Sequence, residues 1–317
     1  MAEFVASLAE GHGDLGARIR TVSHSAKSKD ERVKLHAHFL AFRDGEPTVA
    51  EFIDVLSFKL VPFCLHRKYI NQIQSSWNTL SPNKIQESAV QLHHQALDLF
   101  KRANKKTNRN GEFGELITYL LIESVLKAPQ FVAKMSLKTN SAMPVHGSDG
   151  IHLGYSEQTG KLSLYWGESK CYASVQGAID KAAKSIAENL EYSKQAHELF
   201  LVEQYFDLAG FPEEFREAIL SFLNPYNENY NKRADVSVVF IGFDFAAFAA
   251  LNELDPDEVE AKFSAELRTA LIDYVARLDK AFEKHGVKKH SIEVFFLPVP
   301  SIEKMRSLFQ DKIGWTA

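Results

Sequence analysis

Asp149, Glu168 and Lys170 are the residues of this chain whose types and spacing point most directly to chemistry. Side chains along a strand alternate faces, so Leu162, Leu164, Trp166, Glu168 and Lys170 share one side of a strand over residues 162–170. In the preceding segment Asp149, Ile151, Leu153 and Tyr155 also share a side, so both apolar stripes run into charge. The polar loop Glu157-Gln158-Thr159-Gly160 between them suits a four-residue hairpin. Closing that hairpin pairs Ser156 with Lys161; counting outward reaches Tyr155 with Leu162, Leu153 with Leu164, Ile151 with Trp166, and then Asp149 with Glu168. Carboxylates facing each other across a ladder have Cβ atoms roughly 5 Å apart and repel each other. A bound divalent cation would relieve that repulsion. Magnesium, a hard ion commonly held by one or two carboxylates plus waters and substrate phosphate, fits such a pair, with manganese as a substitute. Lys170 points to the same side, where its ammonium would orient or help deprotonate an attacking water and offset charge on a phosphoryl group polarised by the metal. The pattern therefore suits metal-assisted hydrolysis of a phosphodiester. The bland alternative is a Glu/Lys ion pair with Asp149 as a turn former in Gly147-Ser148-Asp149-Gly150, although a surface pair more often occupies the polar face, here Ser163, Tyr165, Gly167 and Ser169.

The elements that must hold these residues follow from periodicity. From 112 to 127 apolar residues wrap almost the whole turn, with Phe113, Leu116, Ile117 and Leu120 on one side and Ile122 and Leu126 on another, which predicts a buried helix stopped by Pro129. Residues 130–139 alternate as a strand, with Phe131, Ala133, Met135 and Leu137 on one face. Strands at 148–155 and 162–170 come next. In 174–197, Val175, Ile179, Ala182, Ile186 and Leu190 recur at helical spacing. The unbroken apolar run 236–243 reads as a central strand covered on both sides, followed by a helix over 260–284 and a strand over 291–299. The first hundred residues read as mixed α/β, with a strand at 36–42 and helices around 49–60 and 85–100. The polar stretch 104–111, ending in Asn-Gly, looks like a connection, which divides the chain into an N-terminal α/β region over 1–105 and a second unit over 106–317. The fold class expected is α/β, a mixed sheet flanked by helices.

Length and composition set bounds. A chain of 317 residues with 45% hydrophobic content can fill a sizeable core. No apolar run approaches the ~20 residues that span a bilayer, and the opening MAEFVASLAEGHGD carries no basic leader followed by an apolar core, so a cytoplasmic location without membrane attachment is expected. Cys64 and Cys171 form no C-x-x-C pair, which argues against a structural zinc site or a disulfide framework. A formal charge of -4 excludes binding of nucleic acid through global charge. Any such affinity must be local, and the best local candidate is the basic run KRANKKTNR at 101–109, whose other reading is a solvated helix end.

Asp149 followed by Glu168-Ser169-Lys170, with an acid-bearing helix before them and the order helix, three strands, helix, strand, resembles the PD-(D/E)xK nuclease superfamily over about residues 111–245. Within it the segments GEFGELITYLL, HGSDGIHLGY and YWGESKCY look like the nuclease subunit of Hachiman anti-phage defence systems. The resemblance implies a restriction-endonuclease-like core, metal ligation by Asp149 and Glu168, catalysis by Lys170, and an acid on the first helix completing the site. Glu115 is the choice for that acid and Glu112 the second, though glutamate in a first helical turn is favoured by the helix dipole in any case. Gln176 would contact substrate or water near the metal, or be an exposed helix-start residue. The resemblance also implies a DNA substrate, a separately encoded helicase partner, and restraint of the nuclease until that helicase meets invading or damaged DNA. Here the aspartate follows serine rather than proline.

Other signals carry less. Gly11-x-Gly13-x-x-Gly16 matches a dinucleotide fingerprint but lacks a surrounding βαβ unit, and no Walker A motif is present, so ATP hydrolysis by a P-loop is not expected. His36, His38, His93 and His94 lack neighbouring ligands. Cys171 lacks a recognisable base and reads as packing. Two alternatives stay open: a nonenzymatic DNA- or partner-binding module on a nuclease-like fold, and an RNA substrate, since recognition of the 2′-hydroxyl leaves no short motif.

Overall fold

The computed structural model describes residues 1–9, 12–107, 111–135, 148–191, 199–200, 203–204 and 210–315. Among them the strands are β1 (Ile19–Thr21), β2 (Val33–Leu40), β3 (Phe42–Arg43), β4 (Glu46–Pro47), β5 (Gln130–Val132), β6 (Gly150–Ser156), β7 (Lys161–Tyr172), β8 (Arg233–Asp244) and β9 (Ser291–Val299). The α-helices begin with α1 (Ala2–Ser7), α2 (Gly13–Gly16), α3 (Val49–Phe58), α4 (Leu60–Cys64), α5 (Arg67–Ser76) and α6 (Pro82–Thr107). They continue with α7 (Glu112–Leu126), α8 (Val175–Asn189), α9 (Glu213–Leu223), α10 (Pro256–His285) and α11 (Ile302–Lys312).

Seven strands form one mixed sheet in the order β1-β2-β9-β8-β7-β6-β5, and β3 and β4 form a separate small hairpin. β2, β9, β8 and β7 run parallel, whereas β1, β6 and β5 join antiparallel. The mixed α/β architecture expected from the sequence is the one observed. The sheet also runs across residue 105, because β2 pairs with β9 through Val33↔Ile292 to Ala37↔Phe296.

The 236–243 run is covered on both faces because its alternate residues feed different cores. Val238 and Phe240 of β8, with Phe295 and Leu297 of β9, meet a layer that includes Phe52, Phe100, Leu116, Leu120 and Phe309. Val239, Ile241 and Phe243 meet the opposite layer, which includes Ile179, Ala182, Phe263 and Leu267 from α8 and α10. Each such buried side chain contributes about 1.5–3 kcal/mol of transfer free energy, so two layers of them define the sheet's position strongly. A third cluster closes over the hairpin, where Ile151, Leu153, Leu162 and Leu164 pack on Ile219 and Phe222 of α9 and on Val5 of α1.

One expected strand is much shorter than its pattern suggests. Alternation predicted a strand through residue 139, but β5 covers only Gln130–Val132, its register shifts within those residues, and Lys134 and Met135 are already helical. Residues 130–135 are all buried. Phe131 and Val132 belong to the hairpin cluster while Met135 belongs to the α7 layer, so the chain bends from one core to the other instead of presenting one apolar face. Residues 136–139 lie outside the described residues, as do 192–197 of the expected long helix.

Candidate active site

The hairpin closes in the register counted from its loop: Ser156↔Lys161, Tyr155↔Leu162, Leu153↔Leu164, Ile151↔Trp166 and finally Gly150↔Gly167. Asp149 lies one residue beyond this ladder in a bend, and its N–H donates to the Gly167 carbonyl at 2.7 Å. Released from strand pairing, its carboxylate turns towards Ser169. Oδ2 accepts both the Ser169 N–H at 2.7 Å and the Ser169 hydroxyl at 2.8 Å. The two acids therefore meet at the hairpin's open end, but Asp149 is steered by Ser169 rather than held squarely opposite Glu168.

Glu168 is buried, and its carboxylate accepts a hydrogen bond from the Lys170 ammonium two residues along the same face. Burial pushes the Glu168 carboxyl up from 4.5 to about 7; the neighbouring Asp149 charge adds to the rise, while Lys170 and a hydrogen bond with Ser185 of α8 pull against it. Burial works against the Lys170 ammonium, yet the attraction of Glu168 and Asp149 outweighs it and the Lys170 pKa is raised. Lys170 thus stays protonated in this state, whereas Glu168 sits where a modest change in surroundings moves its proton.

Helix α7 brings the remaining acids. Its residues from Glu112 to Glu123 are buried, and Gly114 lets it approach β7 closely. A Cβ on Gly114 would stand 3.0 Å from both Cys171 Sγ and Ser169 Cβ. At the other end of the helix, the Glu123 carboxylate accepts the Gln130 N–H at 2.6 Å and bonds His12 Nε2 at 2.6 Å. With both ends anchored, Glu112 and Glu115 are held at the rim of β7. Gly114→Ala is accordingly expected to destabilise the fold by about 1–3 kcal/mol through overpacking. A denaturation midpoint unchanged from that of the native sequence would show that the contact is slack.

Glu112, Glu115, Asp149, Glu168 and Lys170 all line one cleft of about 900 Å³. The opposite wall is α11, through Glu303, Arg306, Ser307 and Gln310, with Asp244 at its base accepting the Ile302 N–H at 2.7 Å. Sequence reading missed this wall. The spacing of Glu303, Arg306, Ser307 and Gln310 around buried Ile302, Met305 and Phe309 is the signature of an amphipathic helix, but nothing local says where such a helix docks. Lys134 was missed as well: buried, it donates to the Ser148 carbonyl at 2.8 Å and to the Ser148 hydroxyl at 3.0 Å, fixing the residue before Asp149.

Other expectations are placed differently. Gln176 does not line the cleft; its Oε1 accepts from Arg277 at 3.4 Å on the surface. Cys171 is buried, where it packs against Gly114 of α7, and burial pushes its thiol up to about 12. In the basic run, Lys101 is spent on the Gly314 carbonyl at 3.0 Å, and residues 108 and 109 lie outside the described residues. Of the glycine fingerprint, residue 11 lies outside them too.

Whether this set suits a metal turns on its donors. Among the described residues no three His, Cys, Asp or Glu side chains are gathered closely enough to hold an ion, so Glu115, Asp149 and Glu168 share the cleft without forming a three-acid cage. Magnesium needs fewer protein ligands, since one or two carboxylates with waters suffice. The Asp149–Glu168 pair offers that number of carboxylates, and the Glu168 carboxyl is raised by burial first and by the Asp149 charge second, with Lys170 offsetting part of the rise.

That rise has a measurable consequence. Because the folded protein binds the Glu168 proton more tightly than the unfolded chain does, the stability that this group contributes is full below pH 4.5 and is lost as pH rises through about 7. At roughly 1.4 kcal/mol per unit, the loss amounts to about 3 kcal/mol across that window. Urea denaturation at several pH values is expected to show this decline in the native sequence and a flatter profile in Glu168→Gln. A profile identical in both would remove Glu168 as the buried titrating group.

A family model described as HamA matches residues 18–313. The chain belongs to the HamA family. HamA is the Hachiman system protein, so this is a protein of a multi-gene anti-phage defence system. No curated protein matches the chain. The HamA match spans both sides of residue 105, in keeping with the continuous sheet. No helix among the described residues of this HamA-family chain is long and apolar enough to cross a membrane.

Proposed function

We propose that this HamA-family chain is a magnesium-dependent nuclease that hydrolyses DNA phosphodiesters as the effector of its defence system, working with a separately encoded helicase. The observation that carries the reading is the convergence of Asp149, Glu168 and Lys170 on one cleft, with Glu115 on its wall and the Glu168 carboxyl raised by burial and by Asp149. Asp149 and Glu168 would hold the ion and Glu115 would complete its surroundings through water. When bound, the ion would polarise a phosphoryl oxygen and favour hydroxide over water in the cleft.

The chain's own residues supply the rest. Ser169 orients the Asp149 carboxylate through two hydrogen bonds to Oδ2, and Oδ1 would be the oxygen that meets a ligand. Lys170, paired with Glu168, would turn its ammonium to orient the attacking water and offset charge growing on the phosphate. Glu168 must be ionised to hold the ion, so magnesium affinity is expected to strengthen as pH rises through about 7. The likeness of GEFGELITYLL, HGSDGIHLGY and YWGESKCY to Hachiman nuclease subunits supports the helicase partnership and the choice of DNA.

The test is cleavage of matched DNA and RNA duplexes of one sequence, with the helicase present, in magnesium, in manganese and in excess EDTA. Cutting of DNA in either metal, abolished by the chelator, is the expected result. Cutting of RNA alone would reassign the substrate, and DNA binding without any cutting would favour a nonenzymatic module.

A further inference from the structure

In the cleft that would receive a nucleic-acid strand the acids outnumber the cations, with Glu112, Glu115, Asp149, Glu168, Asp244 and Glu303 among the lining residues. A bound divalent ion offsets only part of that charge, and a phosphodiester chain arriving there needs a cation of the protein's own. Among the described lining residues the cations are Lys170 and Arg306, and Lys170 is already paired with Glu168.

Arg306 stands on the opposite wall. It belongs to the polar face of α11, whose other side is anchored by buried Ile302, Met305 and Phe309, so its backbone position is fixed by packing. One guanidinium nitrogen, Nη2, donates to the Cys171 carbonyl at 3.1 Å, which ties the group to the residue next to Lys170. Nε is buried and has no hydrogen-bond partner, and among the described residues no carboxylate forms an ion pair with this guanidinium. A guanidinium braced on one side and without an anionic partner, across a cleft from a candidate phosphodiesterase set, has the geometry of a phosphate receptor.

We propose that Arg306 binds a backbone phosphate of the DNA strand in the cleft, positioning the strand against Asp149, Glu168 and Lys170, with the polar face of α11 as the docking wall. This rests on the nuclease reading of the same cleft. Arg306 is a positioning residue: the strand phosphate it holds sets where the reacting phosphate falls, and it takes no part in proton transfer.

The experiment is fluorescence anisotropy of a labelled duplex binding to the full-length protein without divalent metal, across a series of potassium chloride concentrations. Each phosphate contact contributes about 0.9 to the slope of log affinity against log salt on duplex DNA. Arg306→Gln is expected to weaken binding roughly tenfold at low salt and to make that slope shallower by one contact. Gln310→Lys, one turn further along the same wall, is expected to make it steeper by a similar amount. A purely structural role for Arg306, through the Cys171 carbonyl, would lower the melting temperature and leave the slope unchanged. The Arg306→Gln slope decides the matter, and an unchanged slope overturns the proposal; where that variant does not fold, Gln310→Lys decides in the same way. Binding of DNA by the native protein with an unchanged slope in the variant leaves the nuclease reading intact, whereas no binding and no cleavage by the native protein overturn both.

Discussion

Lys170→Ala is expected to slow DNA cleavage by about 10²–10³-fold, the usual scale for removing one charged stabiliser of a transition state. The site explains both the size of the effect and its accompaniment. Lys170 is the cation nearest Glu168, and it carries the ammonium that would sit against the reacting phosphate. Its side chain is only 18% exposed and packed against a buried acid, so the substitution also removes the partner that holds the Glu168 carboxyl down. The carboxyl then climbs above its present value, and the variant is less stable than the native protein at pH 8 and close to it at pH 5. Single-turnover cleavage combined with urea denaturation at the two pH values separates the effects. A cleavage rate equal to that of the native protein would remove Lys170 from the mechanism.

Asp149→Asn carries the second large effect, on metal affinity. Magnesium binding at pH 8 is expected to weaken by more than about 100-fold, because one of the two carboxylates proposed to hold the ion becomes a neutral amide. The amide oxygen still accepts from the Ser169 N–H and hydroxyl, so the loop keeps its shape. With the neighbouring charge gone, the Glu168 carboxyl moves back towards its ordinary range, which shifts the pH dependence of stability downward. Asp149→Ala loses both Ser169 bonds as well and is expected to cost about 1–3 kcal/mol of stability. Isothermal titration calorimetry with magnesium reads the first effect. Undiminished affinity in Asp149→Asn would place the ion elsewhere in the cleft.

Much of the hairpin that carries the site was legible because its determinants are local. Period-two alternation and a four-residue loop fix the register, and the pairs counted outward from Ser156 and Lys161 are those observed through Ile151↔Trp166. The burial of α7 was legible for the same reason, since apolar residues wrap its whole circumference. What escaped depends on contacts between distant segments. The rotation of Asp149 towards Ser169 follows from the ladder ending at Gly150, which no periodicity announces. The bend after β5 arises because Phe131 and Met135 are claimed by different cores. The far wall of the cleft comes from α11, whose amphipathic pattern is readable while its docking beside Cys171 is not. Likewise the pairing of β2 with β9 joins segments more than two hundred residues apart, and the strand at 36–42 gives no hint of its partner.

The most direct test of the site is cleavage of plasmid and linear DNA by the purified protein in magnesium and in EDTA, with Lys170→Ala alongside and with the helicase both absent and present. Magnesium-dependent cutting by the native protein, lost in the variant while its melting temperature in acid is preserved, is the predicted result. Intact DNA under every condition, together with no measurable magnesium binding, would contradict it and leave the cleft a binding surface on a mixed α/β fold.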